Sequence, residues 1–323
     1  MTREMPFLRR ARVTNYKSIA SCEVVFAPLL ILLGPNGAGK SNFVDALLFV
    51  ADALASTPAD AVARRDGLDE ALRRVPEAVD EFSVELELMV ELDGESKPAK
   101  YAFTLGRDVT ESRSLVVRRE HCVLQLAAAD EEDEAWLAEF EVENGQIAGG
   151  GRIERDRLYL PLVATTQGEF TEIYYGLRSM VFHHLDTDHM RKIAPDRSGT
   201  QLGYAGERLG SVLGHLERNH PTFKARVDDY LKAIVPEAVG VSQRMIGTYS
   251  TVELHTRSGE RSFGPEAISE GTLHATGVLA ALSSPLSWTG RPLWWQSRNR
   301  RPHFTRLPHG ASGVDVRGDH RDR

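Results

Sequence analysis

Residues 28–42 read Pro-Leu-Leu-Ile-Leu-Leu-Gly-Pro-Asn-Gly-Ala-Gly-Lys-Ser-Asn, an apolar run that passes without a break into a glycine-rich loop. No other stretch of the chain constrains its fold as tightly. Leu29 to Leu33 are aliphatic, too few for a helix and suited to a strand buried on both faces. Gly34, Gly39, Lys40 and Ser41 match G-x4-G-K-[ST], the P-loop or Walker A pattern, which needs a strand before it and a helix behind it. The helix is visible in the pattern, because Phe43, Ala46, Leu47, Val50 and Leu54 recur at helical spacing.

The chemistry of such a loop follows from charge and space. Gly34, Gly37 and Gly39 let the backbone take positive φ and turn several N–H groups toward one anion. The helix starting near Lys40 points the positive end of its dipole at the same place. Gly34, Pro35, Asn36, Gly37, Ala38, Gly39, Lys40, Ser41 and Asn42 are therefore the candidate contacts of a nucleoside triphosphate. Lys40 would reach the β- and γ-phosphates, and the Ser41 hydroxyl would ligate Mg²⁺.

At 323 residues and 41% hydrophobic, the chain has enough apolar material for a large core and more than one subdomain. No run of eighteen apolar residues exists and Met1–Arg12 has no apolar stretch, so neither a membrane span nor a signal peptide is expected. Cys22 and Cys122 lack metal-ligand spacing and are read as reduced thiols of a cytoplasmic protein. The net charge of −7 argues against a surface that is basic throughout, while leaving room for a local basic groove.

Along the chain, Arg10–Tyr16 and Cys22–Phe26 are predicted strands joined by a turn at Lys17-Ser18-Ile19. Pro58 to Ala78 is predicted helical, broken at Gly67. Phe82, Val84, Leu86, Leu88 and Val90 alternate with Ser83, Glu85 and Glu87, the signature of a half-buried strand. Tyr101–Leu105 and Leu115–Leu126 continue that pattern, so residues 82–160 are expected to form an antiparallel β insertion. The acidic stretch Asp130 to Glu134 reads as a solvated turn. Residues 168–235 turn helical, with Leu209, Val212, Leu213 and Leu216, then Phe223, Val227, Tyr230 and Leu231, as apolar faces. Val239–Ile246 and Tyr249–His255 are expected to pair around Gly247. His183, His184 and His189 lie near Asp186 and Asp188, where a metal site is the sharper reading and a polar loop the blander, favoured one.

Ile268-Ser269-Glu270-Gly271-Thr272-Leu273 opens a long apolar helix with Ser269 as its cap, and a free helix start suits a γ-phosphate contact. With Val13-Thr14-Asn15-Tyr16-Lys17-Ser18-Ile19 and the loop Gly34–Asn42, this segment resembles the RecF/SMC-like branch of ABC-type ATPases, and bacterial "predicted ATPase" or AAA-family ATP-binding proteins in particular. The resemblance spans residues 8 to about 284. It implies an α/β fold: a P-loop head of the ABC/SMC type in residues 1–285, with the antiparallel subdomain and the helical segment inserted. It also implies that Lys40 and Ser41 hold ATP and Mg²⁺. Ser269, Glu270 and Gly271 would form the signature segment, with Ser269 and Gly271 meeting the γ-phosphate held by a second copy. A homodimer closing on ATP is the expected partner state; DNA or a partner nuclease are further candidates, and no membrane is.

The same family carries an apolar strand ending in Glu-Glu-Pro-Glu, followed by Leu-His-Pro. After Leu282 this chain has no acid until Asp315. Residues 286–323 hold three of the four tryptophans, eight arginines, three aspartates and no lysine, a charge of +5 against −12 for residues 1–285. Back-translated with codon choice left open and read from the third base, Trp294 to Arg306 can spell Val-Ala-Ile-Glu-Glu-Pro-Glu-Thr-Ala-Leu-His-Pro. We therefore read the tail as out of frame, with impaired hydrolysis as the consequence; the alternative is an Arg/Trp tail that binds nucleic acid through phosphate contacts and stacking.

Overall fold

The computed structural model describes residues 7–76, 79–92, 94–108, 114–125, 137–196, 201–257 and 262–283. The chain divides into Met1–Arg291 and Pro292–Arg323, and every described residue lies in the first unit. The acidic stretch at 130–134 and the tail 286–323 lie outside the described residues.

The fold is α/β, and its larger sheet is wholly antiparallel. Strands β1 (Leu8–Tyr16) and β2 (Ile19–Val25) form a hairpin, followed by helices α1 (Lys40–Ala55), α2 (Pro58–Ala63) and α3 (Leu68–Ala71). Then come β3 (Glu81–Leu92), β4 (Glu95–Arg107), β5 (Leu115–Gln125), β6 (Leu137–Glu143) and the short β7 (Gln146–Ile147). These seven strands make one sheet in the order β2-β1-β3-β4-β5-β6-β7. The strands of residues 82–160 thus continue the N-terminal hairpin through β1 and β3, which pair from Leu8↔Leu88 to Thr14↔Ser83.

One face of this sheet is apolar and covered. Phe82, Val84, Leu86, Leu88 and Val90 are all buried, as their alternation requires. They meet α1, whose Phe43, Ala46, Leu47, Val50 and Leu54 are buried as well. The centre is aromatic: the Phe82 ring lies 5.2 Å from Tyr16 and 5.3 Å from Phe49, the latter edge-on. Helices α4 (Leu160–Thr166) and α5 (Thr171–Arg178) complete the cover, with Leu160, Val163, Ile173 and Leu177 in the same core. The opposite face is a ladder of charges, in which Glu23 pairs with Arg10 and Arg12, and Arg10 also reaches Glu87 at 3.5 Å.

A second core is assembled from the rest of the unit. Helix α6 (Thr187–Arg191), strand β8 (Ala194–Pro195), helices α7 (Leu209–Asn219) and α8 (Pro221–Ile234), strands β9 (Ala238–Ile246) and β10 (Tyr249–Thr256) and helix α9 (Glu270–Leu282) surround it. Its sheet has the order β8-β10-β9. Leu209, Val212, Leu213 and Leu216 of α7, Val227 and Leu231 of α8, and Leu273 of α9 fill it. Helix α7 lies so near β10 that a Cβ on Gly210 would stand 2.5 Å from the Thr251 carbonyl oxygen, which only glycine permits.

Three sequence expectations need correction, and the sharper of the two readings of the histidine cluster drops out. Leu29–Leu33 forms no strand, and Leu29, Ile31 and Leu33 are exposed, because no described strand lies alongside to pair with it. Helical structure expected to reach Ala78 stops at Ala71, where Leu72 bridges to Tyr16 and the Arg73 N–H donates to the Asn15 carbonyl. Tyr230 points to solvent rather than to the α8 core face. His183, His184 and His189 form no metal cluster: among the described residues no such group exists, and His189 bonds to the Asp186 carboxylate that caps α6. Among the described residues no helix is long and apolar enough to cross a membrane.

Candidate functional site

The loop between Gly34 and α1 has the geometry of an anion cradle. Gly37 and Gly39 take φ of 81° and 85°, so the chain turns tightly there without a Cβ penalty. Gly39 is the N-cap of α1 and offers no side chain to its first N–H groups, and the first turn carries no acid. Those N–H groups and the positive helix end are thus left available for a negatively charged ligand. Lys40 reaches over the loop, its ammonium donating to the carbonyls of Gly34 and Pro35 at 2.7 Å each. Ser41 is exposed beside it. A triphosphate with Mg²⁺ fits these residues: N–H groups and Lys40 for the phosphates, the Ser41 hydroxyl for the metal.

The β1–β2 turn supports this loop from the side. Asn42 donates through its side-chain amide to the Ser18 hydroxyl at 2.7 Å, and a Cβ on Gly39 would meet that same oxygen at 3.4 Å. Asn15 and Lys17 take positive φ to make the turn this sharp. One turn further along α1, Asp45 collects three donors: Tyr16 Oη at 2.7 Å, Lys17 Nζ at 2.5 Å and Arg65 Nε at 3.0 Å. Burial pushes the Asp45 carboxyl up, but the hydrogen bonds of Lys17 and Tyr16 and the charge of Arg65 outweigh it and hold it below the usual range. Arg65, only 7% exposed, also pairs with Asp52 at 3.0 Å. This cluster fixes α1 against the sheet. Sequence reasoning marked Asn15-Tyr16-Lys17-Ser18 as a family motif but missed Asp45 and Arg65, which come together only through the α1–α2 packing.

A fully buried acid lies on β5. Glu120 accepts from Tyr101 Oη at 3.0 Å, from the Leu160 N–H at 2.9 Å and from the Tyr159 N–H, and so holds the entry of α4 onto the sheet. Burial lifts its pKa to about 7 against the lowering effect of those donors. A glutamate within an alternating strand gave no signal of this role, since its partners lie about twenty residues upstream and forty downstream.

Ser269 caps α9, its hydroxyl accepting from the Thr272 N–H at 3.2 Å. Glu270 opens the helix, and the space beside Gly271 is free of neighbouring atoms within 4 Å. Among the described residues no hydrogen bond or ion pair joins residues 269–271 to the loop 34–42. Within one copy, then, no polar contact among the described residues links the second candidate segment to Gly34–Asn42.

Residues 29–142 match a family described as "AAA domain, putative AbiEii toxin, Type IV TA system". This stretch is similar to an AAA-type ATPase domain. The match begins on the apolar run before the loop and includes Gly34–Ser41, so ATP-binding P-loop chemistry is the activity class that it supports. Structural maintenance of chromosomes protein 4 of Schizosaccharomyces pombe is 55% identical over 42 residues, 12% of this chain and 3% of that protein. The chain thus spans about 3% of the length of that curated relative. A solved structure of the recombination mediator protein RecF with ATP, in the RecFOR pathway, overlays with a TM-score of 0.32 and 10% identity, covering 86% of this chain and 80% of that one.

Proposed function

We propose that this chain binds Mg-ATP on Gly34–Asn42 and uses it as a conformational switch of the RecF/SMC-like kind. The observation that carries this reading is the loop itself. Two glycines at positive φ lead into an uncapped helix start, with Lys40 folded over the place where phosphates would lie. On binding, the Lys40 ammonium exchanges two carbonyl acceptors for phosphate oxygens, which are charged and hold it more strongly. The bound nucleotide supplies the negative charge and the metal-bridging oxygens; the chain's part is to hold and orient them.

In this reading Ser269, Glu270 and Gly271 of one copy lie over the nucleotide of another, so that ATP closes a homodimer. Among the described residues no hydrogen bond or ion pair ties them to the loop of their own copy, which leaves them available to act in trans. Turnover is proposed to be weak, because no carboxylate occurs between Leu282 and Asp315 to activate water. A nucleotide-binding regulator without hydrolysis is accordingly the second reading; DNA or a partner nuclease would be what the closed dimer acts upon. Titration calorimetry of the full chain with Mg-ATP tests the first step: heat of binding is expected, and Lys40→Ala should remove it. No heat with the unaltered chain overturns the proposal. A phosphate-release assay then separates the two readings, since brisk turnover lost on Lys40→Ala would exclude the regulator.

A further inference from the structure

Ser269, Glu270 and Gly271 are exposed between two buried anchors, Ile268 and Leu273, which lie in the second core. One stretch of chain grips this segment from both sides. Ahead of Ser269, Arg191 at the end of α6 donates through Nη1 to the Pro265 carbonyl at 2.5 Å, across 74 positions of sequence. Behind it, His274 Nε2 donates to the Leu185 carbonyl at 3.2 Å. Further along α9 the approach is closer still: a Cβ on Gly277 would stand 2.7 Å from Met190 Sδ and 3.1 Å from Leu185 Cδ1. Residues 185–191 are themselves fixed. The Asp186 N–H donates to the Ala205 carbonyl and the Asp186 carboxylate caps α6, while Ala194 and Pro195 just beyond pair with Ser250 and Tyr249 of β10.

We propose that residues 185–191 are a brace that presets Ser269–Gly271 for a second copy, with Arg191 and His274 as the positioning residues. Its purpose rests on the closure in trans proposed above. A group that meets its ligand only when another copy arrives has no ligand to order it beforehand, so its own chain has to hold it in place. Whatever is left loose must be ordered at the moment of closure, and that entropy is subtracted from the affinity of the dimer. The Ser269 cap orders the start of α9 but reaches only to Thr272. Ahead of it, Pro265–Ala267 make a single 3-10 turn, and the Ile268 N–H reaches the Pro265 carbonyl at 3.3 Å, which is long for such a bond. The Arg191 guanidinium meets the same oxygen at shorter range and carries a charge, so it is the firmer of the two ties. Arg191 also lines an open cleft with Lys192, Arg244 and Thr251, so removing its donor leaves no sealed cavity behind.

Arg191→Met keeps an apolar stem and removes the donor, whereas Arg191→Lys keeps a cation in its place. Hydrogen exchange of the amides of residues 266–271 in the full chain, without nucleotide, should quicken about tenfold in Arg191→Met and stay near the unaltered rate in Arg191→Lys. Mg-ATP affinity, measured by calorimetry in dilute solution, should not change, since the Lys40 loop is untouched. ATP-dependent dimerisation, followed by light scattering, should weaken about tenfold in Arg191→Met and recover in Arg191→Lys. If circular dichroism shows Arg191→Met unfolded, His274→Ala at an exposed position of α9 cuts the other tie and should act in the same direction. Unchanged exchange in both Arg191→Met and His274→Ala would overturn the brace. Quicker exchange with undiminished dimerisation would overturn its purpose. An unaltered chain that binds Mg-ATP yet never dimerises would overturn the closure in trans and the purpose with it, while exchange still reports whether the brace holds the segment.

Discussion

Strand β3 and the segment Leu29–Leu33 are both rich in apolar residues and have opposite fates. β3 pairs along its whole length with β4, from Glu81↔Gly106 to Leu92↔Glu95, and its alternate side chains are buried. Leu29–Leu33 is more uniformly apolar, yet it pairs with nothing described and leaves Leu29, Ile31 and Leu33 largely in solvent. The difference lies in where each partner comes from. β4 follows β3 after a tight turn near Gly94, so the ladder closes locally and at small loop entropy. A strand before a phosphate loop needs neighbours from far along the chain, and apolar character alone cannot supply them.

The sharpest way to test this contrast is to truncate one side chain in each region. Phe82→Ala, which empties the Tyr16–Phe49–Phe82 contact, is expected to cost about 3–5 kcal/mol in urea unfolding. Leu33→Ala should cost less than about 0.5 kcal/mol, measured in dilute solution. Comparable losses at the two sites would break the comparison.

Next in size is the pH response of the two acids that tie helices to the antiparallel sheet. Glu120 has a folded pKa raised from an ordinary 4.5 to about 7, so its contribution is fully present below the ordinary value and is lost as pH rises through about 7. Unfolding free energy should fall by about 3 kcal/mol from this group across that window, and Glu120→Gln should flatten the profile there. Asp45 is lowered, so its contribution has the opposite sign, present above its ordinary 3.8 and lost as pH falls below it. Urea titrations at stepped pH separate the two. Asp45→Ala would also leave Arg65 short of a partner, at an expected cost of about 2–3 kcal/mol.

The smallest expected effect concerns the second candidate segment. Ser269→Ala removes the cap of α9 and should lower stability by about 1 kcal/mol, leaving Mg-ATP affinity of an isolated copy unchanged. The same change should weaken ATP-dependent dimerisation if Ser269 acts in trans, which light scattering with and without nucleotide would register.

Much of the antiparallel sheet was legible because its signal is local. Period-two alternation over Phe82–Val90 names the buried face, and short turns leave few choices of partner. The phosphate loop was legible for a different reason. Gly37, Gly39 and Lys40 are required by backbone conformation and charge, whatever surrounds them. What escaped were contacts between distant elements, such as Glu120 with the start of α4 and Arg65 with Asp45. No spacing rule connects residues twenty to forty positions apart in helices and strands of different period.

The amino-acid sequence by itself determined the loop, the helix behind it, the alternating strands and the Ser269 cap, since each depends on residues within a few positions of one another. Tertiary structure alone decided that the N-terminal hairpin joins the later strands in one sheet and that half-buried Asp45 and buried Glu120 become anchors for helices. It also decided that Leu29–Leu33 pairs with no described strand. A strand exists only when another backbone lies beside it, and that is a property of the assembled chain rather than of five aliphatic residues.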